Sequence, residues 1–357
     1  MKKNLQLIFV LLIAGFGITA NAQDIHFSQY YYSPVTLNPA LTAVNKTIEC
    51  TFQYKNQWQV VKGYSTGGAT FEFKINQQKW KKRSNLTDFY KKKEMKGLAL
   101  GFNVFADKAG NGSIRQTMAS MSLAYHILIT RTSTLSAGLN GSFTQMSINP
   151  DGLRWNNQYE LGNYSAMTPS GEVFAGTNAT YSDFGAGILY SFGDIDTYMS
   201  ANDQKHFDIG FSVSHINQPS ISFYDSGSGM LYRKYTLHAS TIFGIKNSNF
   251  SIGGSFLYMY QNKLQEITPG LVMKYKLKEA SNYTGYKKNS SLSIGGFYRA
   301  KDAMIPYIML EMDKYSIGMS YDVNTSDLAT TTTGRGGFEI MLRFNTRSAY
   351  VYQNNSK

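Results

Sequence analysis

Residues 115–127 read Arg-Gln-Thr-Met-Ala-Ser-Met-Ser-Leu-Ala-Tyr-His-Ile, and this stretch decides the fold. Taken alternately, Thr117, Ala119, Met121, Leu123, Tyr125 and Ile127 form one series, and Met118, Ser120, Ser122, Ala124 and His126 the other. Successive side chains of a strand point to opposite faces, so the stretch predicts a strand with one apolar face and one small or polar face. The next segment repeats the scheme, with Leu135, Ala137, Leu139 and Phe143 against Ser136, Gly138, Asn140, Ser142 and Thr144. A helix, with 3.6 residues per turn, would scatter either series around its circumference.

The same alternation recurs along the chain. Phe207, Ile209, Phe211 and Val213 oppose Asp208, Gly210, Ser212 and Ser214, and Tyr315, Ile317, Met319, Tyr321 and Val323 oppose Ser316, Gly318, Ser320 and Asp322. Strands are predicted at 47–55, 66–75, 97–106, 115–127, 133–145, 183–192, 206–215, 234–244, 249–260, 266–277, 290–300, 305–312, 314–323 and 335–344. That is about fourteen, an even number as in single-chain bacterial outer-membrane barrels. The expected fold class is all-β, a closed antiparallel transmembrane β-barrel over 46–344 with a polar tail at 345–357. A soluble sandwich is the rival, but it would have to repeat many long alternating strands around buried glycines. The last strand favours the membrane, since Phe338, Ile340, Leu342 and Phe344 alternate with Glu339, Met341 and Arg343 just before the tail.

Composition agrees. The chain carries 26 Tyr, 22 Phe and 32 Gly with only 16% charged residues, a balance suited to aromatic girdles and glycine-tolerant strands. Lys2 and Lys3 precede an apolar run from Leu5 to Ile18 that closes on Ala20-Asn21-Ala22, the pattern of a secretory signal peptide cut between Ala22 and Gln23. The run is short for a membrane-spanning helix, which argues against a retained anchor. Cleavage removes 22 of 357 residues and two of 35 basic groups, leaving 335 residues with 33 basic and 23 acidic side chains, net +10. With both termini in the periplasm, loop parity puts the longest connection, 146–182, outside the cell, whereas 76–95 is an unusually long periplasmic one.

Little in the chain points to catalysis or metal chemistry. Cys50 is the single cysteine and reads as a small strand residue. His26, His126, His206, His215 and His238 are far apart in sequence with no ligand-pair spacing, so no metal or cofactor is expected. His215 reads as a hydrogen-bonding residue at a strand end. Gly63-Tyr64-Ser65-Thr66-Gly67 matches G-x-S-x-G, but no helix follows, so it reads as a glycine-rich hairpin loop and not as a nucleophile elbow. The basic balance in an exported chain without a nucleic-acid motif points to acidic proteins or anionic glycans, not to nucleic acid.

Several motifs carry a family resemblance. Gln23-Asp24-Ile25-His26-Phe27-Ser28-Gln29-Tyr30-Tyr31 is followed by Leu37-Asn38-Pro39-Ala40, then by Lys55-Asn56-Gln57-Trp58 and by Val213-Ser214-His215-Ile216-Asn217-Gln218-Pro219. Near the end, Ile317-Gly318-Met319-Ser320-Tyr321-Asp322-Val323-Asn324-Thr325-Ser326 precedes Gly336-Gly337-Phe338-Glu339-Ile340. The ensemble resembles the PorP/SprF family over nearly the whole mature chain. It departs at Lys55, where the family pattern leads one to expect arginine, and in the basic insertion between 79 and 96.

The resemblance implies an outer-membrane component of the type IX secretion system of Bacteroidetes-type bacteria, concerned with secretion or surface retention of proteins, including gliding adhesins. Implied partners are the terminal domain of a secreted cargo protein, periplasmic ring subunits or peptidoglycan-linked lipoproteins, and outer-membrane lipids. Partner-binding candidates fall in three groups. Phe27, Gln29, Tyr30, Tyr31, Asn38 and Pro39 lie in the 23–45 segment, which Pro34 and Pro39 keep irregular, and which is expected at the periplasmic side as a strap or plug at the barrel mouth. Gln57 and Trp58 belong to the early motif. Lys79, Trp80, Lys82, Arg83, Lys91, Lys92 and Lys93 form a basic, aromatic-bearing stretch that reads either as a solvated turn or as a docking surface for an acidic partner. A passive porin or hydrophobic-solute channel is the alternative reading, with Leu257, Met259 and Phe297 expected to face a partly filled lumen.

Overall fold

Alternation organises the chain into fourteen long antiparallel strands among the described residues, each bonded to its sequence neighbour in the sheet and the last bonded to the first. The computed structural model describes residues 27–44, 47–57, 64–75, 97–110, 114–130, 132–150, 153–160, 162–172, 176–194, 205–223, 229–278, 290–326, 329 and 334–346. The first half of the wall is β1 (Ile48–Gln57), β2 (Tyr64–Lys74), β3 (Gly97–Ala109), β4 (Ile114–Leu128) and β5 (Ser133–Ile148). A two-stranded ribbon, β6 (Tyr159–Glu160) and β7 (Asn163–Tyr164), stands in the connection that follows. The wall resumes with β8 (Asn178–Asp194), β9 (Lys205–Ser214), β10 (Lys234–Gly244), β11 (Phe250–Gln261) and β12 (Leu264–Lys278). It ends with β13 (Ser290–Arg299), β14 (Ala303–Met312), β15 (Tyr315–Asn324) and β16 (Arg335–Asn345). Closure runs through the β1–β16 seam, where Lys55 sits opposite Glu339 and Tyr54 opposite Ile340. A closed wall leaves no strand edge for a bilayer to meet unpaired.

Two expectations need correction. The 146–182 connection is shorter than its sequence suggests, because β5 continues to Ile148 and β8 begins at Asn178. Residues 64–67 are not a hairpin loop. Tyr64 opens β2, and Ser65 lies within the ladder opposite Asn56 and Lys108, so residues 64–67 of the G-x-S-x-G match have strand geometry. Cys50 is a strand residue, opposite Phe71 and Phe344. His215 follows β9 with φ +58° and its Nδ1 lies 2.9 Å from Asp183 Oδ2.

The outer face carries an apolar band. In β4, Met121, Leu123, Tyr125 and Ile127 are exposed while Ser120, Ser122, Ala124 and His126 are buried inside. Aromatic pairs mark both edges of this band. Phe211, Tyr235 and Tyr260 stack across β9, β10 and β11 with centroids 6.4 Å apart at each step, and towards the opposite edge Phe250 meets Tyr275 at 4.7 Å and Tyr315 meets Phe344 at 5.4 Å. Such girdles belong at the two membrane interfaces. Leu139, 61% exposed at the middle of β5, stands at the centre of the band. Leu139→Arg is expected to cost about 2–4 kcal/mol, the scale for a cation at the bilayer midplane of a barrel. Urea unfolding in lipid vesicles reads this directly, and an unshifted midpoint would remove the lipid face from β5.

The end of the barrel where β1 begins and β16 finishes is its base, and the opposite end is its crown. The connections from β5 to β8 and from β9 to β10 leave the wall at the crown, and β2 ends and β3 begins at the base.

Candidate functional site

The bore is occupied by the chain's own residues 27–44. Their local form follows from two prolines. Pro34 starts a single helical turn, α1 (Pro34–Leu37), and Pro39 starts a 3-10 turn (Pro39–Leu41), each in a first-turn position where a missing N–H costs nothing. Between them Asn38 is extended, and its Oδ1 accepts from the Ala40 N–H at 2.9 Å, capping the second turn. The result is an irregular ribbon whose remaining polar groups need partners on the wall.

The ribbon starts towards the crown. Phe27 packs beside Gly68 of β2, and the Ser28 and Gln29 amides both donate to the Glu339 carboxylate, at 2.7 and 3.0 Å. Lys55 Nζ donates to Ser28 Oγ at 2.8 Å and lies 3.2 Å from Asp322 Oδ2. Arg299 adds a second cation, donating to Ser28 Oγ at 3.0 Å and to Asp302 at 2.8 Å, and standing 3.4 Å from Asp322 and 3.6 Å from Glu266. Lys55 and Glu339 are 1% and 0% exposed, so these charges survive in the interior only because they are mutually paired. The cluster also clasps the seam, because Lys55 and Glu339 face each other across β1 and β16.

From there the ribbon crosses the middle of the bore. Tyr30 and Leu37 join Leu257, Phe297, Ile305, Tyr307, Met309 and Met341 in the largest apolar cluster, with Met259 packed against it. Tyr31 Oη donates to the Ala239 carbonyl, and Tyr32 meets the Tyr307 hydroxyl at 2.8 Å while the Arg343 guanidinium stands 4.7 Å over its ring. Arg343 in turn pairs with Glu311, which also holds Lys274. Asn38 is fully buried, donating to the Ile188 carbonyl and to His238 Nε2, both at 3.0 Å. Ser212 Oγ donates to the Leu37 carbonyl at 2.8 Å.

It leaves towards the base. Thr42 Oγ1 meets Ser122 Oγ at 2.8 Å, and His126 bonds the Thr42 carbonyl through Nε2 at 2.9 Å and the Ser136 hydroxyl through Nδ1 at 2.7 Å. The Ala43 amide donates to Glu72 at 2.6 Å, and Lys74 Nζ donates to the Val44 carbonyl at 2.9 Å. Counting the apolar contacts and the close approaches at Gly101 and Gly138, the ribbon touches all fourteen strands of the wall.

Glycines make this fit. A Cβ at Gly138 would lie 2.4 Å from the Ala40 nitrogen and the Pro39 carbonyl carbon, and one at Gly187 would lie 2.0 Å from Asn38 Oδ1. Gly318 gives similar room to Gln29. The wall therefore carries a groove in the shape of the ribbon: the missing side chain at Gly138 admits backbone, and those at Gly187 and Gly318 admit the side chains of Asn38 and Gln29.

Among the residues singled out from sequence, Phe27, Gln29, Tyr30, Asn38 and Pro39 are buried in the bore and Tyr31 is half-buried, each against the barrel's own inner wall. Gln57 ends β1 opposite Gly337 and Tyr64, apart from that group. Ala22, Gln23, Trp58, Lys79, Trp80, Lys82, Arg83, Lys91, Lys92 and Lys93 lie outside the described residues. Sequence reasoning missed the wall partners Lys55, Glu72, Glu266, Arg299, Asp322 and Glu339 as a set. The signal was available, since charges of both signs at inward positions of alternating strands must pair in the bore.

Comparison with known proteins places the sequence from residue 19 to 344 within the family described as Type IX secretion system membrane protein PorP/SprF. No curated protein matches the chain. Among solved structures, the CymD monoaromatic hydrocarbon channel aligns with a TM-score of 0.46 at 10% identity, covering 95% of this chain and 96% of its own. A Pseudomonas aeruginosa FadL homologue aligns at 0.39 and 10% identity, covering 88% and 94%. BamA from Haemophilus ducreyi aligns at 0.39 and 10%, covering 84% and 70%.

Proposed function

The chain belongs to the PorP/SprF family of type IX secretion system membrane proteins, and from that membership we propose that it is a non-enzymatic outer-membrane barrel that holds other proteins at its mouths. The bound partner is the terminal domain of a secreted surface protein, such as an adhesin used in gliding, or a subunit of the secretion system. The observation that supports a socket over a conduit is the ribbon 27–44, which contacts every strand of the wall and leaves the loops and mouths as the free surface. Preformed loop surfaces on a rigid wall suit protein capture without chemistry.

Residues of the ribbon then act from within, by keeping the wall round and the bore closed. At the base, the basic stretch 79–96 is the candidate contact for a periplasmic ring subunit or lipoprotein, by attraction to an acidic face. At the crown, the connection containing β6 and β7 presents Tyr159 and Tyr164, 5.7 Å apart, with Arg154 4.7 Å over the Tyr164 ring. Aromatic and arginine side chains of this kind are common anchors of protein interfaces.

Mild crosslinking in the native envelope, followed by identification of the captured chains, is expected to recover a secreted surface protein or type IX subunits. Steady open conductance of the purified chain in a lipid bilayer, without any partner, would overturn this reading in favour of a passive channel.

A further inference from the structure

The direction in which the ribbon runs has a topological outcome. Ser28 is bonded near the crown, to Lys55, two positions before the end of β1, and to Arg299, the last residue of β13. Thr42, Ala43 and Val44 are bonded near the base, to His126, Glu72 and Lys74, the last of these closing β2. The chain therefore enters the bore from the crown side, descends through it, and turns at the base into β1.

From this we infer that the amino end of the processed protein opens at the crown mouth, the same side as the 149–177 connection, and not at the base where β1 begins. Distances carry the argument. With cleavage after Ala22, four residues precede Phe27 and span at most about 14 Å when extended. The crown end of β1 lies two residues beyond Lys55, about 7 Å at strand rise, whereas its base end at Ile48 lies seven residues away, about 23 Å. Four residues reach the first and fall short of the second.

The pairing around Ser28 and Gln29 holds this end in place. Two backbone amides on a fully buried Glu339, with Lys55 and Arg299 converging on the Ser28 hydroxyl, fix the start of the ribbon before it can slide towards the base. The crown face thus consists of loops together with a chain end. A partner seated there meets the amino terminus directly. This inference stands apart from what the partner is.

Cysteine labelling tests it in whole cells. In a Cys50→Ser background, single cysteines are placed by Asp24→Cys, by Met167→Cys in the crown connection, where Met167 is 96% exposed, and by Asn247→Cys in the base turn between β10 and β11. A membrane-impermeant maleimide is applied to intact cells and to cells with a permeabilised outer membrane. The D24C protein is expected to label under the same condition as M167C, and N247C under the other. Labelling of D24C together with N247C overturns the inference, and so does protection of D24C under both conditions. Amino-terminal sequencing of the mature chain that finds a start well before Gln23 also overturns it, because a longer end could return to the base. Because the outcome is read against two internal positions, it is independent of crosslinking results for the partner.

Discussion

Gly138→Ala is expected to prevent the ribbon from seating and to lower the yield of assembled barrel. The new Cβ would lie 2.4 Å from backbone atoms of Pro39 and Ala40 and 2.5 Å from the Pro39 oxygen. None of these is the tip of a flexible side chain, so relief requires moving β5 or lifting the ribbon off the wall. Lifting it there also strains its bonds nearby, including the Asn38 cap and the Thr42 contacts. Overpacking a rigid site typically costs about 1–3 kcal/mol, and a backbone-to-backbone obstruction belongs at or above the top of that range. Gly141→Ala, three residues along the same strand, meets only the Phe184 ring at 3.7 Å and is expected to be silent. The contrast separates the groove from any general intolerance of β5, and heat-modifiable migration of the two proteins in detergent gels is a sufficient measurement. Equal behaviour of G138A and G141A would mean that the ribbon does not lie against Gly138 in the membrane.

The charge cluster yields the second large effect. Arg299→Met removes a cation 3.6 Å from Glu266 and 3.4 Å from Asp322, while leaving both carboxylates buried. Breaking a buried pair from one side costs about 3–5 kcal/mol, because the remaining charge stays in the interior without its partner. Ser28 also loses a donor, so the start of the ribbon is loosened together with the β13 end. A drop in the melting midpoint of the detergent-solubilised barrel is expected, with partial recovery in R299M/E266M, where one of the buried carboxylates that faced the cation is gone as well. Arg154→Ala at the exposed crown connection should change stability by no more than about 0.5 kcal/mol, as surface substitutions usually do. An R299M midpoint matching the parent protein would show that the cluster is solvated and contributes no closure.

Much of the wall was legible because the cause of the pattern is local. Each strand separates lipid from a polar interior, and this constraint writes period two into the sequence at every level of the membrane, as in Met121, Leu123 and Tyr125 against Ser120, Ser122 and Ala124. Strand ends were less legible. Met146 to Ile148 continue β5, and Asn178 to Ser182 begin β8, in stretches where the outward positions Gln145, Ser147, Asn178, Thr180 and Ser182 are polar, so the apolar face that marks a strand is missing. Residues 64–67 misled for a related reason, since Gly67 and its neighbour Gly68 look like a turn but here sit within a paired strand. The inward positions of Leu257 and Phe297 were readable from parity, but not what would cover them.

By itself, then, the amino-acid sequence determined a closed, lipid-facing wall of about fourteen strands, its family, and the irregular character that two prolines impose on residues 34–41. Only the tertiary structure decided where that irregular piece goes. Its partners stand far off in the chain, as when Ser28 meets Glu339 across 311 positions, and no periodicity links residues so separated. The glycines at 138, 187 and 318 look in sequence like any small inward residue. They become a groove only when the wall closes and brings the ribbon against them, because shape complementarity is a property of two surfaces and neither one records it alone.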